Sequence, residues 1–307
     1  MAEVVFPEKS GRLEVRFFRL PDDLEPFLTS VYHIKIDLPE GEKIEDFLQP
    51  EWANLRFSCG DTIKRASQLP GEESIVDGGY RFVVTGPRAK PVHFEVGSTE
   101  IWGIGLKPLG WATFVGEDAS GYVDFAGDGE ADPAFARFVP LCDVLCEPDR
   151  DQDENFASLV DFLRRQSSKC RDADRIVAIQ AAMVDPYLTQ IEDFADSARM
   201  HKRTLERLCR KHFGFSPRFM LRRQRMTRCL MAFMLSEDKN WRQTIDLHYH
   251  DQSHFFREFQ VFMGMSPSEY AALPHPVMGA FAAERQRVWG APVRESVAAQ
   301  ADQANGA

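Results

Sequence analysis

Three histidines near the C-terminal end of this 307-residue sequence have the spacing of a candidate metal site. His248, His250 and His254 form an H-x-H-x3-H pattern, and imidazole nitrogens are common zinc ligands. The alternative is a structural role, because the pattern spans a turn and the start of a predicted helix. We favour the structural role and expect neither a metal ion nor another cofactor.

The cysteines offer a second candidate, a thiol site. No C-x-x-C pair occurs among them, and the six are Cys59, Cys142, Cys146, Cys170, Cys209 and Cys229. Cys142 and Cys146 lie four residues apart, so a helix would place both thiols on one face, as in a thiol sensor. Their neighbours Asp143 and Glu147 oppose thiolate formation. We therefore predict free thiols in a reducing compartment rather than disulfides or zinc ligands.

Motifs of common enzyme classes are missing from the sequence. It contains no G-x-S-x-G, no G-x-x-x-x-G-K-[ST], no H-E-x-x-H and no H-x-E with C-x-x-C. These are the signatures of serine hydrolases, nucleotide-binding loops, metalloproteases and zinc deaminases. We predict that the protein is not an enzyme.

A strongly basic segment provides the clearest chemical signal. The chain has a net charge of -10, but Arg199 to Arg228 contains 11 Lys and Arg against one acidic residue, Glu206, and carries +10. The remainder, with 26 basic and 46 acidic residues, carries -20. A basic island in an acidic protein is typical of a phosphate-binding surface. The alternative is an ordinary solvated helix face.

The hydrophobic pattern predicts which elements carry these residues. Strings such as VYHIKIDL, YRFVVTG and IWGIGL are short strand patterns, whereas the later part shows apolar residues three and four apart, as in helices. We predict a β-rich domain at 1–131, a helical connector at 132–171, an all-α domain at 172–273 and a partly disordered tail at 274–307. No apolar run is long enough to span a membrane, and the N-terminus lacks a signal-peptide core. We expect a cytoplasmic protein.

The all-α region repeats one unit. The stretches HFGFSPRF and FMGMSPSE both contain G-x-S-P, and Gly214 and Gly264 lie 50 residues apart. In each copy the glycine is expected to end a helix, and the Ser-Pro pair is expected to begin the next one. The second copy continues as S-P-S-E, which predicts a capping box. A short helix, a turn and a longer helix with a polar outer face are typical of a helix-turn-helix.

The segment from about Ile176 to Leu273 resembles the C-terminal DNA-binding domain of the AraC/XylS family of transcription regulators. The resemblance is carried by QIEDFA, RTLERLCRKHFGFSP and DQSHFFREFQVFMGMSPSEY. It implies seven helices with two helix-turn-helix units joined by a long helix. With the basic face of the first unit, it gives these DNA-binding candidates: Lys202, Arg203, Glu206, Arg207, Arg210, Gln252, Ser253, Phe256 and Arg257.

Base reading is expected mainly from the first unit. Arg203 and Arg207 can each bind guanine in a bidentate manner, and Glu206 can accept a hydrogen bond from cytosine N4. A phosphate contact is the alternative for each. In the second unit Gln243 and Thr244 stand where the family has aliphatic residues, and His248 replaces a glycine. We therefore expect the second unit to pack less well or to contact DNA weakly, with Phe256 either meeting a thymine methyl or half-buried.

The N-terminal part resembles, more loosely, the β-rich effector or dimerisation domain that precedes the DNA-binding domain in many such regulators. The string GIGLKPLGWATFVGE carries this resemblance. It implies an α+β protein whose N-terminal barrel or sandwich is cupin-like. A small barrel can hold one ligand, and the candidate ligand-binding residues, each of which could instead be core, are Trp52, Phe57, Tyr80, Trp102, Trp111 and Phe114. The helices of 132–167 could either pair two subunits or pack back on the barrel.

These observations together predict a sequence-specific transcription regulator that binds double-stranded DNA. A small-molecule effector, RNA polymerase and a second copy of the chain are further candidate partners. The alternatives are a non-specific architectural DNA binder and a thiol-responsive or metal-responsive sensor. The sequence leaves open the operator, the effector and the choice between activation and repression.

Overall fold

A computed structural model describes residues 1–6, 11–60, 62, 65–148, 150–166 and 168–289. Its N-terminal part is built from antiparallel strands. In chain order these are β1 Ala2–Phe6, β2 Gly11–Phe18, β3 Leu28–Asp37, β4 Ile44–Leu48, β5 Asn54–Cys59, β6 Arg65–Ser67, β7 Ser74–Asp77, β8 Phe82–Thr85, β9 Val92–Val96, β10 Thr99–Leu106 and β11 Ala126–Asp128.

The strands form two open sheets. One has the order β1-β2-β3-β10-β5-β8-β11, and the other has the order β4-β9-β6-β7. Within the described residues no strand pairing closes the two sheets into one, so the prediction of a barrel or sandwich resolves to a sandwich rather than a closed barrel. The β-rich N-terminal half and helical C-terminal half of the predicted α+β fold are confirmed.

The larger sheet separates two cores because successive strand residues point to opposite faces. On β10, Ile101 faces the smaller sheet, whereas Trp102 faces the opposite side. Val15 on β2 likewise faces the smaller sheet, and Phe57 on β5 faces away from it. The second face of the large sheet therefore needs a separate cover.

Helices of the connector provide that cover. After α1 (Pro108–Gly110), which continues into a π turn at Trp111–Val115, the chain forms α2 (Pro140–Leu145) and α3 (Gln152–Gln166). Leu159 and Leu163 of α3 are fully buried in the core with Trp102. Of the two alternatives for the connector, the structure therefore shows packing against the sheet.

A disulfide joins the connector to the sheet. Cys59 at the end of β5 is bonded to Cys146 just after α2, across 87 residues of sequence and a Cα–Cα distance of 5.0 Å. The prediction of free thiols is wrong for these two residues. The sequence does not reveal the pairing, because the end of β5 and the end of α2 come together only when α2 packs on the sheet. Cys142, Cys170, Cys209 and Cys229 are free.

The C-terminal half is helical. Its helices are α4 Ala173–Ala182, α5 Ile191–Ser197, α6 Lys202–Phe213, α7 Pro217–Leu235, α8 Gln252–Met263, α9 Pro267–Ala271 and α10 Pro276–Trp289, with a 3₁₀ turn at Trp241–Gln243. Part of the predicted tail is thus the ordered helix α10, and the remainder of that tail lies outside the described residues. No described helix has the length and apolarity needed to cross a membrane.

Candidate DNA-binding surface

The first helix-turn-helix unit consists of α5, a short turn and α6. Leu205, Leu208 and Cys209 form the buried stripe of α6, and all three are fully buried. Gly214 follows the last turn with a φ of +81°, a left-handed conformation that favours glycine. Ser216 then accepts a hydrogen bond from the backbone N–H of Phe219 at the start of α7. In the first G-x-S-P copy, the predicted end of one helix at Gly214 and the predicted start of the next at Ser216 are confirmed.

The outer face of α6 carries exposed charge. Lys202, Arg203, Glu206, Arg207 and Arg210 are all exposed, and their side chains share the face opposite the buried stripe. Lys202 pairs with the carboxylate of Glu192 on α5 at 2.6 Å. Arg203 and Arg207 form no ion pair with any residue that the structure describes, so both guanidinium groups remain available to a ligand.

A hydrogen bond to a buried histidine anchors the inner face of α6. The Nε2 atom of His212 lies 3.1 Å from Oδ2 of Asp172, just before α4. Burial lowers the pKa of His212, although the Asp172 hydrogen bond opposes that shift. The same hydrogen bond lowers the pKa of Asp172. The contact therefore fixes α6 while keeping a titratable group inside the first unit.

The second unit differs from the first in the segment that precedes its longer helix, α8. The segment WRQTIDLHYHDQ, where the family pattern implies a helix, forms only a 3₁₀ turn at Trp241–Gln243 followed by turns and bends. Trp241 supports this turn: its ring stacks on Phe233 at 3.9 Å, and its indole N–H donates to the Pro267 carbonyl at 2.8 Å. The implied seven helices are thus six α-helices and one 3₁₀ turn.

The helix α8 has the predicted caps. The Asp251 carboxylate accepts from the His254 backbone N–H at its start, and Gly264 ends it with a φ of +69°. Ser266 and Glu269 form both hydrogen bonds of a capping box at the start of α9. The second copy of G-x-S-P therefore does in the structure what its sequence predicts.

The outer face of α8 is nearly neutral. Gln252, Ser253 and Arg257 are exposed, and Arg257 is the only basic residue among these four DNA-binding candidates of the second unit. Phe256 is half-buried and packs at the edge of the core around α7 and α8. Of the two alternatives for Phe256, the structure thus shows the packed one.

The arginines of α7 are mostly used inside the protein. Glu258 of α8 accepts from Arg222 at 2.5 Å and from Arg225 at 3.4 Å, and Arg228 pairs with Asp246 at 2.8 Å. These side chains tie α7 to the second unit rather than presenting charge to solvent. The exposed positive charge of the basic segment is therefore less extensive than its sequence predicted, and it is concentrated on α6.

Arg223 of α7 joins the two halves of the chain. Its guanidinium lies 3.8 Å from the centre of the Trp52 ring and donates to the backbone carbonyl of Arg88 at 2.9 Å. Burial lowers its pKa to about 9, so it is still charged at neutral pH. No local pattern in the sequence indicates this role, because its partners lie more than 130 residues away.

The predicted ligand-binding residues do not surround one cavity. Phe57, Trp102, Trp111 and Phe114 are fully buried in the core beneath α2 and α3. Trp52 lies against Arg223 as described, and Tyr80 packs at the margin of the core between the sheets. A small cavity of about 50 Å³ does lie between the two sheets, lined mainly by apolar residues, and none of these six residues belongs to its wall.

The three histidines are also dispersed. His248 bonds to the Asp246 carboxylate at 2.7 Å, and the rings of His250 and His254 stack on each other with centres 5.7 Å apart. Within the described part of the chain, no group of three or more His, Cys, Asp or Glu residues is arranged to hold a metal ion. Of the three histidines, His248 thus has a side-chain partner in Asp246.

We compared the sequence and structure with known protein families and solved structures. Residues 194–272 match a family model described as a helix-turn-helix domain. No curated protein matches the sequence. Among solved structures, ToxT from Vibrio cholerae O395 is 10% identical and aligns over 84% of this chain and 96% of its own, with a TM-score of 0.41.

Two further ToxT structures align similarly. A P21 form from Vibrio cholerae covers 86% of this chain and 98% of its own, at 10% identity and a TM-score of 0.41. ToxT from strain O395 bound to (E)-4-(8-methylnaphthalen-1-yl)but-3-enoic acid covers 84% and 98%, with the same identity and TM-score. By its family match, its two capped units and its motifs, the segment 194–272 is an AraC-type helix-turn-helix domain.

Proposed function

We propose that this protein is a sequence-specific DNA-binding transcription regulator whose first unit supplies most of the base reading. The observation that carries the proposal is the outer face of α6. Arg203, Glu206 and Arg207 are exposed there, one helical turn apart, and both arginines lack an ion-pair partner within the described residues. This arrangement, inside an AraC-type domain, suits a helix that lies in the major groove.

The chemistry of each side chain suggests its role. The two arginines are positioned to bind guanine O6 and N7, and Glu206 to accept from cytosine N4. Lys202 and Arg210, at the two ends of the same face, are suited to phosphate contacts that set the register of the helix. In the second unit, Gln252, Ser253 and Arg257 supply weaker contacts about one helical turn of DNA away, roughly 34 Å.

The remaining partners also belong to the proposal. The cavity between the two sheets supports a response to a small-molecule effector, and a regulator of this kind would act in the cytoplasm where its DNA target and RNA polymerase are found. The apolar face of α3 packs on the large sheet. If the protein forms a homodimer, that face is therefore not its interface.

The proposal is tested by selecting genomic fragments with the purified protein and measuring binding of the enriched site at two salt concentrations. We expect a shared motif and binding that weakens steeply with salt. Arg207→Ala should weaken binding to the selected site more than to a scrambled site. Arg137→Ala, which removes the same charge from an exposed position in the N-terminal half, should change neither.

The outcomes separate the candidate functions. Equal affinity of the unmodified protein for selected and scrambled DNA would identify a non-specific architectural binder, because phosphate contacts carry no sequence information. Equal loss on both DNAs in Arg207→Ala would instead assign a phosphate contact to Arg207. Unchanged affinity and unchanged salt dependence in Arg207→Ala would show that α6 does not contact DNA.

A thiol-responsive regulator is the second candidate, and the Cys59–Cys146 disulfide favours it. Two thiols become a disulfide by giving two electrons and two protons to an oxidant such as a peroxide, and a reducing cytoplasm would reverse the change. Burial raises the pKa of Cys142 to about 11, so this neighbouring thiol is a poor nucleophile. DNA binding that differs between oxidised and reduced protein, and not in Cys146→Ser, would support this function.

A further inference from the structure

The helix α10 belongs to two cores at once. Val277 and Ala280 are buried in the core between the two sheets, whereas Met278 and Ala282 are buried in the core of the second helix-turn-helix unit. The helix packs on β1, β2 and β4 and also on α7. A displacement of α10 would therefore disturb both the sandwich and the second unit.

A buried carboxylate holds the start of α10 to the sandwich. Asp46 on β4 accepts from the backbone N–H groups of Val277 at 2.9 Å and Met278 at 2.7 Å. Its other oxygen lies 3.2 Å from Nδ1 of His275, whose Nε2 lies 2.7 Å from the Tyr270 carbonyl of α9. These contacts connect the sandwich, α9 and α10 through one short segment.

The same helix forms part of the wall of the inter-sheet cavity. Val277 and Phe281 line it together with aliphatic residues of both sheets. The Phe281 ring contacts Phe17 and Tyr32 of the large sheet, with ring centres 5.2 and 5.0 Å apart. A volume of about 50 Å³ corresponds to only a few water-sized spheres. A larger ligand needs part of this wall to move, and α10, which is held to the sandwich through one short segment, contributes two of its residues.

The charge balance of the cavity indicates which ligands suit it. Among the described residues that line the cavity, Arg56 is the one that carries a charge. That guanidinium is already paired with the Glu51 carboxylate, and it donates to the Thr85 hydroxyl at 3.3 Å. A second carboxylate placed there would be buried without a cation of its own, which is unfavourable. A neutral molecule avoids that cost and can still accept a hydrogen bond at the polar end.

We propose that the inter-sheet cavity binds a compact, neutral, largely apolar molecule and that this ligand displaces α10 from the sandwich. Because α10 also completes the core of the second unit, ligand binding alters how that unit is held. The proposal rests on the effector response proposed above and names the ligand class and the moving element.

Cyclohexanol and cyclohexanecarboxylate form a suitable probe pair, because they differ mainly in charge. We expect cyclohexanol to raise the Tm of the full chain and to increase amide exchange in residues 276–289, whereas cyclohexanecarboxylate should do neither. Equal or stronger binding of the carboxylate would overturn the assignment of a neutral ligand. Binding of cyclohexanol without faster exchange in α10 would overturn the displacement.

A variant of the cavity wall provides a second test. Phe281→Ala enlarges the cavity, so cyclohexanol should bind more tightly and disturb α10 less. Val288→Ala shortens another apolar side chain on α10 that does not line the cavity, and it should behave like the unmodified protein. No binding to either the unmodified chain or Phe281→Ala would overturn the proposal. DNA binding without any probe is measured separately, so failure here leaves the proposed regulator function standing.

Discussion

The two helix-turn-helix units share their caps but differ in charge and in support. The position of Arg203 in the first unit is occupied by Ser253 in the second, Arg210 by Gln260 and Lys202 by Gln252, with only Arg207 matched by Arg257. In the first unit a regular α5 precedes the reading helix, whereas in the second a 3₁₀ turn does. The repeated G-x-S-P caps therefore determine where these helices begin and end, but they do not determine what the outer faces of the helices bind.

The acidic residues reinforce this difference. Glu258 and Asp246 of the second unit neutralise arginines of the connecting helix α7, and the Asp251 carboxylate caps α8 at the end expected to face DNA. The first unit has no such carboxylate at the start of α6, where the capping position is His201. We infer that phosphate attraction is concentrated in the first unit.

The largest expected effect concerns the support of the second unit. Trp241→Ala removes a ring that stacks on Phe233 and a buried hydrogen bond, and should cost about 3–5 kcal/mol of unfolding free energy. Chemical denaturation measures this loss. Phe194→Ala, in the core of the first unit, serves as the matched control and should be similarly costly. If Trp241→Ala is nearly neutral, the second unit does not depend on its 3₁₀ turn.

The next effect compares the matched arginines. Arg207→Ala should weaken binding to the selected site by about 1–3 kcal/mol, as expected for a residue that reads a base. Arg257→Ala should cost less, because α8 carries little other positive charge. Titration of labelled DNA at several salt concentrations measures both. Equal losses would mean that the second unit reads DNA as strongly as the first.

A smaller effect concerns how the stability of the first unit depends on pH. His212 in this unit can titrate, whereas the corresponding residue of the second unit, Phe262, cannot. The pKa of His212 is lowered in the folded protein by burial, so the unfolded chain binds the proton more readily. Stability from this group is present above its ordinary pKa of 6.5 and is lost as the pH falls below it. Denaturation between pH 5 and pH 7 should show the slope, and His212→Gln should flatten it. A slope that persists in His212→Gln would assign it to another group.

The smallest effect concerns the carboxylate at the start of α8. Asp251→Asn keeps a side-chain oxygen that can cap the helix, but it removes a negative charge that would repel DNA phosphate. DNA affinity should rise slightly, and more at low salt than at high salt. Ser266→Asn, at the cap of α9, keeps a cap without changing charge and should leave affinity unchanged. A fall in affinity for Asp251→Asn would indicate that the carboxylate accepts from a base.

Most of the C-terminal fold could be predicted from local sequence. The buried stripe of α6, the glycines at 214 and 264 and the capping box at Ser266 depend on residues within a turn or two of one another. The departure from a regular helix in front of α8 coincides with Gln243 and Thr244, where the family has aliphatic residues. The exposed face of α6 followed from the same periodicity, which is why its candidates share one surface.

Other features could not be found in this way. Four of the six predicted ligand-binding aromatics are core residues of a packed sheet rather than parts of one cavity wall, because strand periodicity does not reveal which layer covers each face. The ordered helix α10 has a small-residue, weakly patterned sequence, and it is ordered through Asp46 and the inter-sheet core. Both outcomes depend on residues far away in the chain.

The sequence by itself determined the caps of α6, α8 and α9, the duplicated G-x-S-P unit and the charged face of α6, because caps and periodicity act over a few residues. Only the tertiary structure decided that Cys59 meets Cys146, that Arg223 joins the two halves and that the arginines of α7 neutralise Glu258 and Asp246. These pairings depend on how separate elements pack, and no local pattern records which surfaces will come into contact.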